Sequence, residues 1–162
     1  MTLRLYLVRH AIATERDDAQ WPDDSERPLI REGVRSFKKA AVGLATIASI
    51  PDAVFSSPAR RAWQTAELLT GIGWPSPEVL AALLPGGDPR DILTTLPADG
   101  QIALVGHAPD LAQLASLLLS GAADVPSIEM KKGAVLALEV DQTTASASLK
   151  WLAQPSMLRR LG

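Results

Sequence analysis

Apolar positions along this chain follow two different periods. Short, strand-length apolar runs lie at residues 4–8, 53–56 and 102–105, and two later runs at 134–140 and 146–152 read as a pair. The first and third are apolar at nearly every position, the pattern of strands covered on both faces. Between the runs the spacing changes to steps of three and four. Val34, Phe37, Ala41, Leu44 and Ala48 mark one face of a long helix over residues 32–49. Ser57-Pro58 predicts a second helix, with serine as N-cap, proline in the first turn and Gly71 closing it. Pro109 predicts the start of a third, carrying Leu111, Leu114, Ala115 and Leu118 and ended by Gly121; a shorter helix is expected over 89–96. Strand and helix alternate, which predicts an α/β fold, a three-layer α/β/α sandwich with a mostly parallel central sheet. The polar link near 141–145 is too short for a crossover, so the last two runs form an antiparallel strand pair near the C-terminus. A chain of 162 residues suits one domain, 1–162, with one sizeable core.

Composition narrows the function. The formal net charge is −2, so there is no basic footprint for nucleic acid, and an anionic ligand must be held by a few placed cations. The chain has no cysteine, which removes disulfides, a thiol nucleophile and thiolate metal sites. Residues 1–4 run directly into a strand without the features of a signal peptide, and no run approaches the roughly 18 apolar residues of a membrane span. A cytoplasmic protein with no membrane partner is expected; nothing in the sequence specifies an oligomeric state. The loop over 13–28 is rich in acids, with Asp17-Asp18 and Asp23-Asp24. No histidine accompanies them at ligand spacing, so they predict a solvated loop and no metal site. Trp21 in that loop suits a binding rim or the edge of the core, whereas Trp63, Trp74 and Trp151 read as packing residues.

The chemistry-bearing residues sit after strands. The chain has two histidines, His10 in Leu5-Tyr6-Leu7-Val8-Arg9-His10 and His107 in Ile102-Ala103-Leu104-Val105-Gly106-His107, each followed by alanine. Arg60 and Arg61 follow the second strand run through Ser56-Ser57-Pro58-Ala59. In open α/β sheets ligands gather at the carboxyl ends of strands. Arginine forks and helix N-termini suit phosphate oxygens, and a neutral imidazole is a competent nucleophile near pH 7. Without cysteine, a G-x-S-x-G elbow or a P-loop, histidine is the best nucleophile available.

Leu7-Val8-Arg9-His10-Ala11, then Ser56-Ser57-Pro58 with Arg61-Ala62 and Gln64-Thr65-Ala66, then Val105-Gly106-His107, resemble the histidine phosphatase superfamily. Arg27-Pro28-Leu29 with Gly33 resembles its small SixA-like phosphohistidine phosphatase branch, whose short length this chain shares. The resemblance implies that His10 is the nucleophile that becomes phosphorylated. It further implies that Arg9, Arg61 and His107 bind the phosphoryl oxygens, with His107 acting as a cation. Ala62 and Gln64-Thr65-Ala66 fix the register on Arg61 and leave Arg60 at the rim.

Four positions depart from the family pattern. Ala11 replaces the usual glycine; Ile30 stands where the branch often carries a capping threonine. The chain has no asparagine for the phosphate contact many members make, leaving Thr14 or a backbone group. The run Val79-Leu80-Ala81-Ala82-Leu83-Leu84 lacks the carboxylate general acid of larger relatives, and Asp88 is the nearest candidate. An alkoxide leaving group gains roughly a hundred- to ten-thousand-fold from a general acid. The imidazole of phosphohistidine leaves with less help, because its conjugate acid has a pKa of about 6.5. The expectation is therefore a cofactor-free, metal-independent phosphatase acting on phosphohistidine of a signalling or phosphotransfer protein. The alternatives are a phosphatase of a small phosphorylated metabolite, a phosphomonoester or phosphoanhydride, and a non-catalytic phosphate-binding module. Mutase action is disfavoured by the missing acid and helical insertions.

Overall fold

The computed structural model describes residues 1–144 and 146–162, so the expected link at 141–145 lies partly outside the described residues. Six strands form one sheet: β1 (Thr2–Arg9), β2 (Ala53–Ser56), β3 (Pro77–Val79), β4 (Gly100–Gly106), β5 (Val135–Asp141) and β6 (Ser146–Ala153). Their order is β3-β2-β4-β1-β5-β6. β1, β2, β3 and β4 pair in parallel, and β5 and β6 extend the sheet antiparallel. Side chains alternate across β1 and so feed two cores. Tyr6 and Val8 face α1 (Arg31–Ile47), α2 (Arg60–Leu69) and α5 (Pro155–Leu161). Leu3, Leu5 and Leu7 face α3 (Pro89–Leu93) and α4 (Asp110–Ser120). This is the predicted three-layer sandwich. Trp74 and Trp151 pack on Tyr6, with ring centroids 5.6 and 6.0 Å away. No helix is long and apolar enough to cross a membrane among the described residues.

Local signals failed where tertiary contacts took over. β3 has three residues, begins with proline and lies at the sheet edge, where a missing N–H is tolerated. It carries no apolar periodicity to read. α2 starts at Arg60, two residues after the expected start, because the Ser57 hydroxyl accepts from Ala59 N–H (3.2 Å) in a turn of its own and faces His107. Gly71 does not close α2; the chain continues through a short turn to Gly73, the residue that takes the left-handed conformation (φ 88°). Gly121 does end α4 (φ 80°), as its position predicts. The short helix α3 stops at Leu93, earlier than the expected 96.

α1 begins without a side-chain cap, consistent with isoleucine at position 30. Docking replaces the cap: Ile30 N–H donates to the Ile12 carbonyl (3.1 Å), and Gly33 lies so close that a Cβ there would sit 2.1 Å from Ile12 O. A second close approach joins α1 to α5, where a Cβ on Gly43 would lie 1.8 Å from Leu158 O. A methyl there must push two helices apart. Gly43→Ala is therefore expected to lower unfolding free energy by roughly 1–3 kcal/mol, read from urea midpoints, with the strand ends at His10 and His107 untouched; an unchanged midpoint would contradict this packing.

Candidate active site

The two histidines meet because their strands pair. β1 and β4 are parallel with Arg9 opposite Gly106, so the next residue of each is a histidine at the same sheet edge. His10 N–H donates to the Gly106 carbonyl (2.9 Å), and the imidazole centroids lie 5.3 Å apart. Ser57 N–H donates to the Val105 carbonyl (2.9 Å), which brings the end of β2 to the same place. The site thus stands where the carboxyl ends of three parallel strands converge.

His10 is buried, 6% exposed, and its Nδ1 lies 2.7 Å from the Ala11 carbonyl oxygen. A carbonyl only accepts, so Nδ1 carries the proton and Nε2 of the neutral ring keeps its lone pair. Burial is the first cause holding the His10 pKa down to about 3, opposed by the Ala11 carbonyl and reinforced by Arg61, Arg9 and Lys132. The ring is neutral at physiological pH. His107 is also buried, with Nε2 2.9 Å from Ser57 Oγ and Nδ1 unpartnered. Burial first, then His10 and Arg61, hold its pKa down to about 3 as well. The ligand-free His107 ring is therefore neutral, and the cationic form expected from sequence is the one that a bound phosphate dianion would favour.

Arg9 donates from one terminal nitrogen to the Met130 carbonyl (2.6 Å), and its Nε is buried without a partner. Arg61 is only 4% exposed; its terminal nitrogens donate to the Asp24 carbonyl (2.9 Å) and carboxylate (3.0 Å), again leaving a buried, unpartnered Nε. Burial pushes both guanidinium groups below their ordinary value, yet arginine keeps its proton in proteins. Buried polar groups without partners are rare in folded proteins. Here three of them, Arg9 Nε, Arg61 Nε and His107 Nδ1, belong to the residues clustered around His10. Such open donors around one imidazole have the chemistry to receive an oxyanion.

Comparison with known proteins agrees. The model of the histidine phosphatase superfamily, branch 1, matches residues 5–83. The chain belongs to the histidine phosphatase superfamily. It is 33% identical over 143 residues to an uncharacterised protein of Picosynechococcus, 84% of each chain being covered. Among solved structures it is similar to one from Nakamurella multipartitia, provisionally assigned as phosphohistidine phosphatase SixA. That likeness has a TM-score of 0.76 and 28% identity, over 96% of this chain and 97% of that one. It also shares its fold with the protein histidine phosphatase SixA complexed with tungstate (TM-score 0.75, 24% identity, 94% of this chain and 97% of that one).

Several residues of this superfamily member act as struts that sequence reasoning did not assign. Asp24, expected in a solvated loop, splits its carboxylate between Arg27 Nε (2.8 Å) and Arg61 (3.0 Å). Arg27 also donates to the Thr14 carbonyl. Those two arginines hold the Asp24 carboxyl below its usual range against the burial that raises it. Gln64 accepts from Leu29 N–H (2.8 Å), and Thr65 accepts from Ala11 N–H (3.0 Å). Thus Gln64-Thr65 moors the loop 13–28 and the residue after His10. An Asp three residues before an Arg was the available signal for Asp24, because that spacing lets the two side chains meet on one helical turn. Asp88 caps α3 by accepting from Arg90 N–H (2.9 Å) at Oδ1 and is exposed. Its loop is tethered by a buried acid not singled out from sequence, Asp110, which accepts from Gly86 N–H (2.9 Å) and whose pKa burial raises. Thr14 Oγ and Trp21 Nε1 are buried without partners in the loop over the site.

Two outcomes follow. Asp24→Ala frees Arg61 and unmoors the loop; kcat/KM on p-nitrophenyl phosphate should fall by about tenfold to a hundredfold, mostly through KM, whereas wild-type kinetics would refute the strut. Both imidazoles titrate near 6.5 when unfolded and at about 3 when folded. Between those values the unfolded chain binds more protons, so stability is full above pH 6.5 and drains as pH falls toward 3. The slope is up to about 1.4 kcal/mol per pH unit for each ring. Urea midpoints from pH 7 to pH 4 should fall less steeply for His107→Gln than for wild type; parallel curves would contradict a buried neutral His107.

Proposed function

We propose that the protein is a phosphatase that works through a phosphohistidine intermediate on His10 and removes phosphate from phosphohistidine of another protein. The observation that carries this reading is the bare Nε2 of His10, fixed by the Nδ1–H to Ala11 hydrogen bond, among three buried nitrogens with no partner. In the first step the Nε2 lone pair forms a bond to phosphorus as the P–N bond of the substrate breaks. Arg9, Arg61 and His107, its Nδ1 donating, neutralise the equatorial oxygens. The substrate ring, already protonated on its other nitrogen, departs as neutral imidazole. Water then attacks phospho-His10, releasing phosphate and restoring the ring.

The leaving group is argued from the acid that is not built in. Residues 79–84 run from the end of β3 through an apolar turn with no acid, and Asp88, the nearest, is exposed and accepts a helix-cap hydrogen bond at Oδ1. An imidazole leaving group depends least on a dedicated proton donor. A small phosphorylated metabolite is the competing substrate, and a panel of both classes separates them.

Wild-type protein should strip phosphate from a phosphohistidine protein with higher kcat/KM than from small phosphomonoesters. His10→Ala should abolish turnover, and rapid quenching at alkaline pH should trap label on His10. Full activity of His10→Ala would sink the mechanism; a preference for a metabolite would replace the substrate; binding without turnover would leave only a phosphate-binding module.

A further inference from the structure

Next to the phosphoryl site lies an open cleft of about 460 Å³, walled by the end of β1, by α1, by the turn at 131–133 and by the start of α5. That is the size of a ligand pocket rather than of a phosphoryl group. Arg9 and Ala11, the neighbours of His10, line it, so the cleft and the site are contiguous. Four of its lining side chains are cations, Arg9, Lys131, Lys132 and Arg159, and none is an acid. Among the described residues, Lys131, Lys132 and Arg159 make no ion pair. This concentration stands out in a chain of net charge −2.

The lysines ride on a fixed frame. Gly133, left-handed at φ 89°, donates its N–H to the carbonyls of Arg9 (3.1 Å) and His10 (3.0 Å), and Lys131 N–H donates to Gln154 Oε1 (3.0 Å). The backbone is thereby pinned beside the nucleophile while the lysine side chains stay exposed. Ile12, Phe37 and Pro155 give the cleft an apolar floor, and Ile12 remains 38% exposed.

We propose that this cleft seats an acidic, partly apolar segment of the substrate protein beside its phosphohistidine, an assignment that rests on the phosphohistidine reading above. Lysine ammoniums are compact, mobile point charges, suited to scattered carboxylates rather than to one bidentate anion. The apolar floor calls for aliphatic side chains between those carboxylates. A metabolite whose only anionic group is its phosphate would leave the outer cations bare. Cations at such a rim act mainly on encounter and on discrimination between partners.

The test uses two peptides phosphorylated on a single histidine by phosphoramidate, identical except for flanking Glu in one and Lys in the other. Wild-type kcat/KM should favour the Glu peptide by about tenfold at low salt, and raising NaCl from about 0.05 to about 0.5 M should erase the preference. In Lys131→Glu/Arg159→Glu the preference should collapse to within about twofold, with p-nitrophenyl phosphate turnover holding near wild type to show that the fold is intact. Equal turnover of both peptides by wild type overturns the cleft and leaves the phosphohistidine reading standing. Failure to cleave either peptide while a phosphomonoester is hydrolysed overturns that reading, and the cleft with it. The salt series on wild type decides the matter if the double variant does not fold.

Discussion

Because β1 and β4 lie side by side in parallel, with Arg9 opposite Gly106, both strands leave the sheet at the same level and hand over to a histidine. Everything else in the site depends on that register. A slip of one residue would turn every side chain of β1 to the other face, exchanging the Tyr6 and Val8 core for the Leu3, Leu5 and Leu7 core. The two hydrophobic layers therefore lock the imidazoles together more firmly than any contact between the rings. The energy that fixes the site geometry is held in the apolar sheet, far from the polar atoms that use it.

Gathering cations in such a place is costly, since a buried charge must be paired or hydrogen-bonded. Arg61 meets that requirement through the carbonyl and carboxylate of Asp24, and Arg9 through the Met130 carbonyl. Arg61 is held at both terminal nitrogens and Arg9 at one, and each is left open at Nε. The neutral state of both histidines limits the charge further. The free protein thus avoids four mutually repelling cations, and the extra positive charge arrives together with the anion that needs it.

The sequence made the central site residues legible because three of them follow strands whose apolar runs are nearly unbroken. Strand ends at His10 and His107 could be read to within a residue or two, and Arg61 followed from the family register. The loop 13–28 could not be read in that way. Its acids look alike in sequence, yet Asp17 and Asp23 fold turns, Asp18 reaches only Arg16, and Asp24 alone reaches the buried Arg61. Which acid would be chosen depends on how the loop crosses α2, a tertiary fact with no periodicity behind it. The helix starts illustrate the same limit. Ser57 has the chemistry of a cap, but the proximity of His107 gives its hydroxyl another partner. α1 lacks a cap and starts on time because Ile30 and Gly33 dock against Ile12.

Apart from the Asp24 carboxylate, the struts that moor the loop share one property. Arg27 grips the Thr14 carbonyl, Arg61 the Asp24 carbonyl, Gln64 the Leu29 amide and Thr65 the Ala11 amide. Each reaches a backbone atom, and every residue type except proline offers the same donor and acceptor there. Apart from Asp17, whose carboxylate folds its own turn, the stretch from 15 to 22 can therefore change its side chains without loosening the frame beneath it. That surface can be rewritten, residue by residue, while the atoms around His10 keep their places.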